Sequence, residues 1–145
     1  MGKVTVTALV ENLNDLVGVQ GGTLSQEQVR RVDVGDALID TGATGLLMPK
    51  RLIAQLGLQP LRFRNAKTIG GTVPLQVYRA VRLTIQGRDC ISDVVEIGDD
   101  LPVVIGQDPL ELMGWVIDMQ GQKLIGNPAH GGEHMIEAYA SLGYC

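Results

Sequence analysis

The stretch Ala37-Leu38-Ile39-Asp40-Thr41-Gly42-Ala43-Thr44-Gly45 constrains the fold more than any other part of the chain. Three apolar residues run straight into a carboxylate, and a hydroxyl and a glycine follow at once. An uninterrupted apolar run reads as a buried strand. An ionised carboxylate at its end is costly unless it is paired, hydrogen-bonded or in use. Turn chemistry supplies one explanation, because Asp accepts backbone N–H bonds and Gly tolerates positive φ. Two further features ask for more. A helical pattern follows within a few residues, and a second apolar strand, Val103-Val104-Ile105-Gly106, ends in a glycine and leads into another helix. The two strands can lie side by side, with the second bracing the loop of the first. The apolar approach to Asp40 predicts a carboxylate set deep in the protein.

The rest of the chain is read as sheet. Residues 3–10, KVTVTALV, alternate with a period of two and predict a strand. Ser25 and Gln28 have capping-box spacing and predict a single helical turn. RRVDVGDALID gives a strand bent at Gly35, and MPKRLIAQLGL a short helix stopped by Gly57. AKTIGGTVPLQVY is a long hairpin around a glycine pair, and AVRLTIQGRDCISDVVEI a second one turning at residues 86–89. Asp108-Pro109 opens a helix that Gly114 closes, and WVIDMQGQKLIG is a final hairpin. No linker interrupts this pattern, so residues 1–145 are expected to form one domain, with 127–145 as a C-terminal tail. The predicted class is all-β with two or three short helices.

Composition narrows the function. A net charge of −4 and only one Trp, one Phe and three Tyr argue against a nucleic-acid partner. No apolar run is long enough for a membrane span, and MGKVTVTALVENLND alternates too strictly for a signal peptide. Two cysteines, Cys90 and Cys145, are too few for a disulfide scaffold, and a cytoplasmic location is expected.

In this setting the chain resembles the retropepsin family of aspartic proteases, the retroviral proteases and their cellular relatives. Three elements carry the resemblance, in the family's order, over about residues 30 to 126. They are the signature Leu38 to Ala43, a glycine-bearing flap hairpin at KTIGGTVPLQVY, and the apolar-apolar-glycine element Val104-Ile105-Gly106. The resemblance implies an acid-protease β-barrel, closed or partly open, that hydrolyses peptide bonds without a cofactor. Asp40 becomes the catalytic carboxylate, Thr41 a brace across a dimer axis, and Gly42 the residue that lets backbone approach the carboxylate. Ala43, Ile69, Gly70, Gly71 and Thr72 contact substrate, the last four as the flap tip, while Val104, Ile105 and Gly106 support the loop. Thr44 has no separate role. Pro74, just past the tip, departs from the viral pattern and puts the flap's register in question. Leu38, Ile69, Val73 and Val104 are candidates for an apolar shell around the site.

Such chemistry needs two carboxylates sharing one proton. The chain has a single Asp-Thr-Gly, and Asp118 in IDMQG lacks the hydroxyl and the adjacent glycine. The second carboxylate is therefore expected from another copy, in a two-fold homodimer with a peptide or protein substrate. The alternative is a catalytically silent retropepsin-like module that binds peptides or dimerises.

Other constellations carry less. His130-Gly131-Gly132-Glu133-His134 fits the written pattern H-x-x-E-H, but paired glycines oppose the helix that zinc ligation needs, and no metal is expected. Met135, Ile136, Tyr139 and Leu142 have the spacing of one helical face, suited to packing against the body or a partner. Cys90 reads as a small buried hydrophobe.

Overall fold

The computed structural model describes residues 3–136. In chain order the elements are β1 (Thr5–Asn12), α1 (Leu13–Gln20), β2 (Arg31–Ile39), β3 (Leu46–Pro49), α2 (Lys50–Leu56) and β4 (Gln59–Thr68). There follow β5 (Gly71–Ile85), β6 (Arg88–Ile97), β7 (Val104–Ile105), α3 (Gln107–Met113), β8 (Trp115–Asp118) and β9 (Lys123–Gly126). Seven strands form one sheet in the order β1-β2-β7-β3-β6-β5-β4, and β1 also pairs with β5. Six of them thereby close into a ring, with β4 left outside as an edge. The protein is mostly β, as its alternating sequence predicts.

The core lies inside the ring. Val10, Leu46, Met48, Leu83, Ile85 and Ile105 have essentially no solvent exposure, and each such burial contributes roughly 1.5–3 kcal/mol. Helices α2 and α3 cover the open parts, burying Ile53 and Leu56 from one and Leu110 and Met113 from the other. Both stop at a left-handed glycine, Gly57 at φ 64° and Gly114 at φ 72°. The bend at Gly35 is a bulge: β1–β2 register slips by one residue between the Val6–Ala37 and Ala8–Val34 pairs. The capping-box turn is present at Gln26–Gln28, where the Gln28 side chain accepts the Ser25 N–H at 2.8 Å.

Two features differ from the sequence expectation. Residues 13–20 are helical, whereas the alternating N-terminal pattern gave no sign of a helix before the Gly21-Gly22 loop. Its signal is local: Asn12 accepts the Asp15 N–H at 3.0 Å as an N-cap, and Gly18 inside the helix sits where a Cβ would press on Leu24. The two predicted central hairpins also share one strand, since β5 runs unbroken for 15 residues and serves both.

The N-terminal segment is tied to the ring by buried acids. Asp15 takes both Nε and Nη2 of Arg30 at 2.9 and 3.0 Å, and the Arg30 backbone N–H at 2.9 Å. Glu11, almost fully buried, accepts Nε and Nη2 of Arg82 at 3.1 and 2.8 Å. At the other end, Arg88 lies 4.0 Å from the centre of the Trp115 ring and donates to the carbonyls of Met113, Gly114 and Gly132. It joins α3, the β8–β9 hairpin and the start of the tail.

Hydrogen bonds from Arg30 hold the Asp15 carboxyl below its ordinary pKa, against the opposing effect of burial. A folded pKa below the unfolded one stabilises the fold above the unfolded value and loses that contribution as pH falls. Wild type is thus expected to lose stability between pH 5 and 3 more steeply than Asp15→Asn. At pH 7 the variant should be destabilised by about 1 kcal/mol, because Arg30 is half exposed. Urea midpoints at the three pH values measure both; parallel pH profiles would contradict the assignment.

Candidate active site

The loop at Asp40 is built from three strands and a helix. β2 and β7 run parallel, pairing Leu38 with Val104 and Ile39 with Ile105, and β3 pairs antiparallel to β7 on its other side. Backbone bonds hold the approach to the carboxylate: Leu38 N–H to Val103 O at 2.8 Å, Ile39 N–H to Val4 O at 2.9 Å, and Asp40 N–H to Ile105 O at 3.0 Å. Beyond Asp40 the chain turns, the Ala43 N–H donating to the Asp40 carbonyl at 3.0 Å. Within that turn the Gly42 N–H donates to Asp40 Oδ1 at 2.9 Å. A Cβ on Gly42 would stand 3.0 Å from the same oxygen, so glycine is what lets the backbone come this close.

The second apolar strand braces this turn through its glycine. Gly106 N–H donates to Gly45 O at 2.8 Å, Gln107 N–H to Ala43 O at 2.9 Å and Asp108 N–H to Thr44 O at 2.9 Å. The first N–H groups of α3 have no partner inside the helix, and the loop carbonyls supply one. A Cβ on Gly106 would lie 2.6 Å from the Ala43 and Gly45 oxygens, so no other residue fits without displacing the loop. Thr44, given no role from sequence, contributes its carbonyl. Such a backbone contact leaves no trace in a residue pattern.

Asp40 itself is exposed, as are Thr41 and Gly42, with Ala43 half-buried. This corrects the expectation of a deeply set carboxylate. Ala37 and Ile39 are buried and Leu38 half-buried, and the chain leaves the core at the aspartate. Among the described residues its carboxylate accepts only the Gly42 N–H and forms no ion pair.

A family model for aspartyl proteases matches residues 22–109, more than half of the chain. The chain belongs to the aspartyl protease family. Its single Asp-Thr-Gly loop gives it the retropepsin-like form. None of the curated proteins matches it. The matched span ends inside α3, ahead of the closing hairpin β8–β9.

The hairpin that the sequence assigns to a flap is β4–β5. Ile69 and Gly70 form its turn and Ile69 is fully exposed, while Gly71 closes the ladder with Thr68 at φ 117° and Thr72 pairs with Lys67. Pro74 does not disturb the register, which runs unbroken from Arg62–Val77 to Thr68–Gly71. Counted from the Thr68–Gly71 closing pair, Asn65–Pro74 is a non-hydrogen-bonded pair, so the proline nitrogen points away from β4. At that height β5 has no strand partner on its other side among the described residues, since its pairing with β6 begins at Val77. Of the proposed apolar shell, Leu38 and Val104 are half-buried while Ile69 and Val73 are exposed on the hairpin.

The remaining motifs hold no second centre among the described residues. Gly131 and Gly132 both have positive φ, 63° and 80°, so His130 and His134 do not share a helix. A His134 ring nitrogen sits 2.9 Å from the Leu112 carbonyl, and no three His, Cys, Asp or Glu side chains cluster to hold a metal. Burial, with a smaller effect of Asp89, raises the Cys90 thiol to about 11, which keeps it protonated and unreactive. Of the tail's proposed helical face, Met135 and Ile136 are exposed and Tyr139 and Leu142 lie outside the described residues. No helix of the described residues is long and apolar enough to cross a membrane.

The two glycines of the site are expected to fail differently. Gly106→Ala should cost about 1–3 kcal/mol of stability, because backbone must move to admit the methyl. Gly42→Ala meets only the end of a side chain and should change the urea midpoint far less, while turning the Asp40 carboxylate away from its N–H. A larger stability loss from Gly42→Ala than from Gly106→Ala would contradict this account of the loop.

Proposed function

We propose that the protein is an aspartic endopeptidase whose active centre is a pair of Asp40 carboxylates, one from each protomer of a two-fold homodimer. The observation that carries the reading is an exposed carboxylate fixed by the Gly42 N–H on a loop braced from beneath by Gly106 and α3. Investment in backbone rigidity around a solvent-facing Asp has little purpose in a mere turn. It has one where two copies must present carboxylates at a set separation.

Two carboxylates a few ångströms apart cannot both ionise, so the pair holds one proton between them. The ionised member takes a proton from a water lying between the two. The protonated member donates to the scissile carbonyl oxygen as that water attacks the carbon. The tetrahedral intermediate then collapses with protonation of the leaving amine, and the pair returns to its shared-proton state. Thr41 braces the two loops across the axis. Gly42, beside the carboxylate, leaves room for substrate backbone. The β4–β5 hairpin serves as the flap, Ile69 to Thr72 closing over an extended peptide with Ala43 at the floor and excluding bulk water.

Cleavage of a mixed peptide library between pH 4 and 7 tests the reading. Wild type should hydrolyse it, a hydroxyl-bearing transition-state mimic should block it, and Asp40→Asn should lose about a thousandfold or more in rate. Equal rates for wild type and Asp40→Asn, or no hydrolysis by either across the range, would overturn it and favour a peptide-binding module.

A further inference from the structure

Charge is distributed unevenly along this acidic chain. From Thr41 to Arg88 there are eight of its 12 Lys and Arg residues and no Asp or Glu. Several of these cations are used inside the fold. Arg82 binds Glu11, Arg79 lies 3.3 Å from Asp93, Arg51 reaches the Asp99 carbonyl at 2.8 Å, and Arg88 holds the α3 terminus. Those of β4 are not: among the described residues, Arg62, Arg64 and Lys67 have no hydrogen-bond or ion-pair partner for their side chains.

Among the described residues, β4 is also the strand of the large sheet that has a neighbouring strand on one side only. Its ten residues carry no buried side chain. Counted from the Thr68–Gly71 closing pair, Phe63, Asn65 and Lys67 turn their N–H and C=O groups outward. That row can pair with an added strand. Arg62 and Arg64 share one face of the hairpin with Leu75 and Val73, and on that face the next β5 residue, Val77, is buried against the body. A strand laid along the open edge thus has two unpartnered guanidinium groups beside alternate side chains.

Edge strands are commonly guarded by charge, inward-pointing residues included, but a guard needs no single sign, and the charged residues of β4, Arg62, Arg64 and Lys67, are all cationic. A second copy is a poor occupant, because an antiparallel β4–β4 pair sets cation against cation. We infer that the open edge of β4 is a docking site for an extended acidic peptide segment, bound by strand addition with Asp or Glu side chains opposite Arg62 and Arg64. On the endopeptidase reading above, this segment flanks the bond to be cut.

Fluorescence anisotropy with the full chain as Asp40→Asn tests the site apart from catalysis. The probes are a labelled decapeptide alternating Glu with Val, its Gln and Lys counterparts, and a Glu peptide N-methylated at alternate amides. At pH 7 and low salt the Glu peptide should bind about tenfold more tightly than the Gln peptide, the scale of two exposed charge pairs. The N-methylated peptide should lose that binding, and Arg62→Glu with Arg64→Glu should reverse the preference toward Lys. Equal binding of Glu and Gln peptides, or of the methylated and unmethylated ones, would overturn the proposal. So would an equally tight grip on a single-stranded RNA decamer, which marks a merely cationic surface. Discrimination here with no cleavage by wild type in the library assay would leave this site standing and remove the endopeptidase reading; wild-type cleavage without discrimination here would do the reverse.

Discussion

The contact between Gly106 and the carbonyls of Ala43 and Gly45 is the constraint on which the site depends. It places the start of α3 directly beneath the Asp40 turn, close enough that a single methyl has no room. The same approach gives the loop carbonyls their donors and the helix its missing N-terminal acceptors. Two chain segments more than sixty residues apart thereby satisfy each other's backbone, which a surface turn could not do alone. The parallel β2–β7 pair and its antiparallel neighbour β3 extend the grip back into the core. Asp40 is exposed, but its loop is hydrogen-bonded both to β7 and to the start of α3.

That combination changes the meaning of the carboxylate. A buried Asp at the end of an apolar strand needs an internal partner. An exposed Asp on a rigid platform is positioned for something outside its own chain. Family membership gives the chemistry in which two such groups act together, and on the proposed reading the partner is the same residue of a second protomer. The unpaired edge and unspent cations of β4 extend the same logic, since they too are arranged toward a molecule that is not this protomer.

Much of this was legible in the sequence because it rests on side-chain pattern. The unbroken apolar run before Asp40, the glycine after Ile105 and the stops at Gly57 and Gly114 each stand for one physical requirement, and each is found where it was expected. What escaped depends on backbone or on tertiary partners. Helix α1 has a Gly in its middle and an Asn cap easily taken for the end of a strand, and its Asp15 is held by Arg30 from beyond the next loop. The exposure of Asp40 escaped because apolar neighbours predict where a strand runs, not where it surfaces. Pro74 was a warning by residue type alone; its harmlessness follows from which side of β5 its nitrogen faces.

The central claim is that one protomer holds half an active site. Peptidase rate per protomer, followed as the protein is diluted alongside its sedimentation behaviour, tests it most directly. The account predicts that rate per protomer falls in step with the dimer fraction and vanishes in dilute monomer, returning on concentration. A constant rate per protomer in solutions where only monomer sediments would contradict it.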